Sequence, residues 1–129
     1  MKVNTGIPAH DLTAVGEAAK IVEQNGFHGV STQENRHNPF LPLAVVATQT
    51  TRLELRTSVA IAFARSPMAS ANMAWDLQAA SDGRFTLGIG SQVKGHNLRR
   101  FSVGWSPPAP RMREYVQALR AIWDCWQNG

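Results

Sequence analysis

The chain has 129 residues, 43% of them apolar, and 13 Lys and Arg against 9 Asp and Glu give it a net charge of +4. That length suits one domain with a real core, and the composition excludes wholesale disorder. No run approaches the roughly 18 apolar residues of a membrane span, and the single Cys125 excludes an intrachain disulfide or a cysteine-built zinc site.

In chain order, Lys2–Thr5 is a short strand ended by Gly6 and Pro8. Asp11 can cap the helix that follows, and Val15, Ala18, Ala19 and Val22 share one face of it. Gly26 is placed to end that helix with positive φ. Phe27–Thr32 reads as the second strand. A polar loop, 33–38, then leads past Pro39 and Pro42 to a short helix over Leu43–Gln49.

Leu53–Ile61 is the clearest strand, rich in β-formers. Ser66-Pro67 supplies an N-cap and a first helical proline, and Ala71, Ala74 and Leu77 give that helix its inner face. Ser81-Asp82-Gly83 turns the chain into a fourth strand, Phe85–Gly90. Ser91–Pro110, punctuated by glycine and proline, reads as a long loop. A final helix over Arg111–Gln127 carries Met112, Tyr115, Val116, Leu119, Ile122, Trp123 and Trp126 at helical spacing, a core stripe.

Strands alternating with helices predict a parallel sheet covered by helices. Four such units can be read, whereas a closed barrel needs eight and typically about 250 residues. The expectation is one incomplete β/α-barrel domain spanning residues 1–129, a half-barrel and a truncated portion of something longer. Its outer strands would be open edges, so a homodimer or larger oligomer is expected. Met1-Lys2-Val3-Asn4 lacks a signal-peptide layout, which makes a cytoplasmic location the default.

Barrel chemistry sits at the C-terminal ends of strands. Here that filter selects Thr5 and Gly6, then 33–37, then 60–65, then Gly90, Ser91 and Gln92. Glu34 and His37 are the acid–base candidates, because both follow the second strand and can hold or move a proton. Gly88-Ile89-Gly90-Ser91 has little side-chain bulk, which suits close ligand approach, but it is neither a dinucleotide fingerprint nor a Walker loop. His10, His28, His37 and His96 are scattered, and no HExxH pattern occurs, so no metal is expected. The cationic residues from Lys94 to Arg113 make no nucleic-acid module.

Several stretches together resemble the luciferase-like monooxygenase superfamily, most closely its coenzyme F420-dependent oxidoreductase branch. They are Gly26-Phe27-His28-Gly29, Asn38-Pro39-Phe40-Leu41-Pro42-Leu43, Thr57-Ser58-Val59-Ala60, Arg65-Ser66-Pro67, Ser81-Asp82-Gly83-Arg84-Phe85 and Leu87-Gly88-Ile89-Gly90-Ser91. The resemblance implies the N-terminal half, about four βα units, of a TIM (β/α)8 barrel of the bacterial-luciferase-like type. It further implies hydride transfer between F420 and a small organic substrate. The alternatives are an FMN-dependent two-component monooxygenase using molecular oxygen and, in another class, a non-catalytic half-barrel that self-associates or binds a partner.

In such enzymes a non-prolyl cis peptide after strand three supports the cofactor ring. Ser58-Val59 matches it, with Ala60 one step away. Gln33 and Glu34 would flank the reactive edge, and Gly90, Ser91 and Gln92 would meet the ring's polar edge or tail. Several deazaflavin dehydrogenases carry histidine where this chain has Glu34, and a glutamate often stands where this chain has Val93.

Overall fold

The computed structural model describes all residues, Met1–Gly129. The elements are β1 (Asn4–Gly6), α1 (Val15–Gln24), β2 (Gly29–Thr32), α2 (Phe40–Gln49), β3 (Glu54–Thr57), β4 (Ala60–Ile61), α3 (Pro67–Ala80), β5 (Phe85–Thr86), β6 (Ile89–Gly90), α4 (Lys94–Phe101) and α5 (Pro108–Asn128). The chain forms two compact units. One is Met1–Ala60 with Asp76–Ile89, the other Ile61–Trp75 with Gly90–Gly129.

The first unit holds a sheet in the order β1-β2-β3-β5, every pair parallel, with β1 and β5 at its edges. Alternation decides the burial. Leu55 and Thr57 on one face of β3, Leu53 just ahead of it, and Val30 and Thr32 in β2 are buried. Against them pack Val15 and Ala19 of α1 and Phe40, Leu43, Val46 and Ala47 of α2, all buried.

Local chemistry sets each boundary. Asp11 Oδ1 accepts the Thr13 and Ala14 N–H groups ahead of α1. At its other end Gly26, with φ +80°, donates to Glu23 O while Phe27 N–H donates to Val22 O, a Schellman stop. Asn38 Oδ1 takes the Phe40 and Leu41 N–H groups, so α2 begins at Phe40, three residues before the sequence reading placed it. Ser66 Oγ accepts from Ala69 N–H at the head of α3, in the capping role expected of it.

Arg84 organises the unit. Its Nε donates to Ser81 O, Nη1 to Thr50 Oγ1 and Leu53 O, and Nη2 to Ala47 O and Thr50 O, at 2.6–3.1 Å. All five guanidinium N–H groups are thereby used. Glu23 does the complementary work from α1. Its Oε1 accepts the N–H groups of Thr51, Arg52 and Leu53, which lead into β3. Burial pushes the Glu23 carboxyl up, but the three N–H groups outweigh it and hold it below its ordinary value.

In the second unit Tyr115 and Leu119 of α5 are buried. The Tyr115 hydroxyl lies 2.6 Å from Ser70 Oγ, Trp123 Nε1 donates to Ala71 O, and the Trp75 and Trp126 rings meet edge to face at 5.3 Å. The rest of the α5 stripe is only partly core: Met112, Val116, Ile122 and Trp123 are half-buried and Trp126 is exposed.

Five expectations need correction. The stretch read as a long loop contains α4, whose lysine, histidine and arginines hide its helical character in the sequence; Arg99 and Arg100 in its last turn complement the helix dipole. The strand read over Leu53–Ile61 is interrupted at Ser58-Val59, and that over Phe85–Gly90 at Leu87-Gly88. The first strand starts at Asn4 rather than Lys2, and the second at Gly29 rather than Phe27.

Two outcomes test this account. Arg84→Lys keeps the charge but not the five-donor fork, so chemical denaturation should show a loss of about 2–4 kcal/mol. Because the Glu23 carboxyl is depressed in the folded chain, its contribution is complete above about pH 4.5 and is lost as pH falls through the lower folded value. Urea midpoints of Glu23→Gln should therefore fall less steeply than those of the parent below that pH.

Candidate functional site at the strand ends

Parallel register fixes what stands together in the first unit. Thr32 of β2 pairs with Thr57 of β3, and Ser58 N–H donates to Thr32 O at 2.7 Å. Gln33 and Glu34 therefore leave the sheet beside Ser58 and Val59, at the C-terminal ends of adjacent strands. The Ser58–Val59 peptide is cis, at the place the resemblance marks out. Both residues face outward, and Val59 is 45% exposed despite its apolar side chain.

Behind this surface Thr57 clasps the next strand. Its buried hydroxyl donates to Gly88 O at 2.7 Å and accepts Gly88 N–H at 2.9 Å, and Gly88 O also takes the Ala60 N–H. A Cβ on Gly88 would meet Thr57 O at 2.1 Å. Glycine at 88 is thus required by strand contact. Ala60, expected at the cofactor, is 2% exposed and belongs to this support.

The loop after β2 divides. Glu34 is half-buried, whereas Gln33 and His37 are exposed and line a cavity of about 340 Å3 with His10, Asn35 and Arg36. The structure thus brings His37 together with His10, a pairing with no signal in the sequence. Ile7 N–H donates to Ser31 O, which ties the loop after β1 to β2 and closes the other wall.

In the second unit Gly90, Ser91 and Gln92 are half-buried. Gln92 has φ +57°, and its Oε1 accepts the Val93 N–H. Fully buried Asn97 holds this loop from α4, its Nδ2 donating to Ser91 O at 2.9 Å and Val93 O at 3.2 Å. Sequence reading missed Asn97, which is masked by its basic neighbours. The same unit has a cavity of about 520 Å3 lined by Arg65, Arg111 and Tyr115. Arg111 lies 4.3 Å over the Phe63 ring and donates to Gly104 O. Burial pushes the Tyr115 hydroxyl up, against the hydrogen bond from Ser70 and the charge of Arg65.

The family model for luciferase-like monooxygenases matches residues 2–127. The chain belongs to that family. An uncharacterized protein of Mycobacterium tuberculosis is 52% identical over the whole chain, which spans 38% of that protein. Another protein of the same organism, bearing the provisional name coenzyme F420-dependent oxidoreductase, is 36% identical over 83% of the chain and 31% of its own length. Among solved structures, the oxygenating constituent of 3,6-diketocamphane monooxygenase from Pseudomonas putida, in complex with FMN, superposes with a TM-score of 0.82. That match covers 96% of this chain and 40% of the other at 17% identity, which shows the fold alone. The fold is the N-terminal half, about four βα units, of a luciferase-type (β/α)8 barrel, and the chain spans well under half the length of these relatives.

The clasp makes a graded expectation. Gly88→Ala forces backbone apart and should destabilise more than Thr57→Val, which removes one buried hydroxyl at a cost of about 1–3 kcal/mol. Thermal melts of the two variants rank them.

Proposed function

We propose that this chain supplies the ring-binding strand ends of a deazaflavin-dependent oxidoreductase, which moves hydride between coenzyme F420 and a small organic substrate. The observation that carries the reading is the 36% identity, over 83% of the chain, to the relative named for F420. The strand-end residues fit such a group. Exposed Val59 offers an apolar surface for a flat ring, while Ser58 and Gln33 beside it offer hydrogen-bonding edges.

When bound, F420 supplies the hydride chemistry, and the protein supplies orientation and proton handling. Ser58 and Val59 support the ring face, and Gln33 orients an edge. Glu34, half-buried in the loop after β2, holds or moves the proton that accompanies reaction, with His37 as a second acid–base group. The alternative reading, an FMN-dependent monooxygenase using oxygen, draws support from the fold shared with the FMN-bound oxygenase. Self-association through the edge strands β1 and β5 belongs to either reading.

Fluorescence titration with F420 and absorbance titration with FMN separate these readings, using the 52%-identical protein as reference. F420 should bind the more tightly to both proteins, and less tightly to this chain than to the longer one. Tighter FMN binding favours the oxygenase, and no binding by either protein favours a non-catalytic half-barrel. Wherever turnover is measurable, Glu34→Gln should lower it at least about tenfold and leave cofactor affinity little changed.

A further inference from the structure

The cavity between the loops after β1 and β2 has a chemical bias of its own, beyond the roles given to Gln33 and His37 above. Its ionisable lining groups are His10, Arg36 and His37, and the amides of Gln33 and Asn35 complete its polar wall. No carboxylate lines it. The acids near it are engaged or set back. Asp11, next to His10 and in electrostatic contact with it, accepts the Thr13 and Ala14 N–H groups and the Thr13 hydroxyl through Oδ1. Glu34 is half-buried in the same loop but off the cavity wall.

The walls are also tied to the fold. Asn35 Nδ2 donates to Gln33 Oε1, Asn38 caps α2 where the loop ends, and Ile7 N–H binds Ser31 O. A volume of about 340 Å3 matches a small molecule or one end of it. A guanidinium presents a fork suited to carboxylate or phosphate oxygens, and two imidazoles add ring N–H donors.

We propose that this cavity recognises the oxyanion group, carboxylate or phosphate, of a small anionic substrate through Arg36, His10 and His37. Calling that ligand the substrate rests on the reading of the adjacent strand ends as the reaction site; the anion binding itself does not. The site stands beside Gln33, so the substrate would enter from the β1–β2 side with its charged end held away from Val59.

The test needs no cofactor, so its failure is distinct from failure of the F420 titration. The four imidazoles of the chain are followed by 1H–15N NMR at about pH 6 during titration with succinate, inorganic phosphate and, as ionic-strength control, chloride. Saturable shifts of His10 and His37 with succinate or phosphate, and none at His28 and His96, are expected. Whichever anion saturates first identifies the oxyanion class. Arg36→Gln should weaken that binding at least about fivefold, the loss of one charge-assisted hydrogen bond, with the His28 and His96 signals unmoved as a check on folding. All four histidines responding alike, chloride reproducing the shifts, or Arg36→Gln binding as tightly as the parent would each overturn the proposal.

Discussion

Arg84 joins pieces of chain that are far apart in sequence. The C-terminal carbonyls of α2 at Ala47 and Thr50, the Leu53 carbonyl leading into β3 and the Ser81 carbonyl after α3 all converge on one guanidinium. Helix-end carbonyls lack partners within their own helix, and buried ones are costly to leave unpaired. A single planar cation answers several at once and, by doing so, sets where β3 begins relative to β5. Leu55 pairs with Phe85, the residue after Arg84. The positions of Ser58 and Val59, and of everything argued for the strand ends, follow from that start.

The architecture was largely legible because its determinants are local. Asp11, Gly26, Ser66 and Gly83 act within a few residues of themselves, and the strands are short β-rich runs between such signals. The motif Ser81-Asp82-Gly83-Arg84 was visible as a family mark, but not its work, since three of the four carbonyls it serves lie more than thirty residues upstream. Helix α4 was hidden for a different reason. Lys94, His96, Leu98, Arg99 and Arg100 face solvent, so no apolar period announces it, and only Asn97 turns inward.

The site divides in the same way. Ser58-Val59 and Gln33-Glu34 could be placed from strand ends plus resemblance, because register in a parallel sheet carries residues after one strand beside those after the next. Ala60 could not be told from its neighbours: burial here depends on Gly88 supplying a carbonyl from another strand. The roles of Thr57, Asn97 and His10 also depend on contacts across the fold, and nothing in their immediate sequence distinguishes them.

The first unit is discontinuous in sequence, and this bears on how the chain comes into being. Residues Met1–Ala60 leave the ribosome well before the Asp76–Ile89 stretch that completes their unit. Until Arg84 emerges, Glu23 holds the entry to β3 from the N–H side, but the Ala47, Thr50 and Leu53 carbonyls lack their guanidinium partner. The carbonyl side waits for residues made after α3. Synthesis therefore passes through a stage in which α1, α2 and the first three strands are present but half-satisfied, and the residue that finishes them is made only after α3.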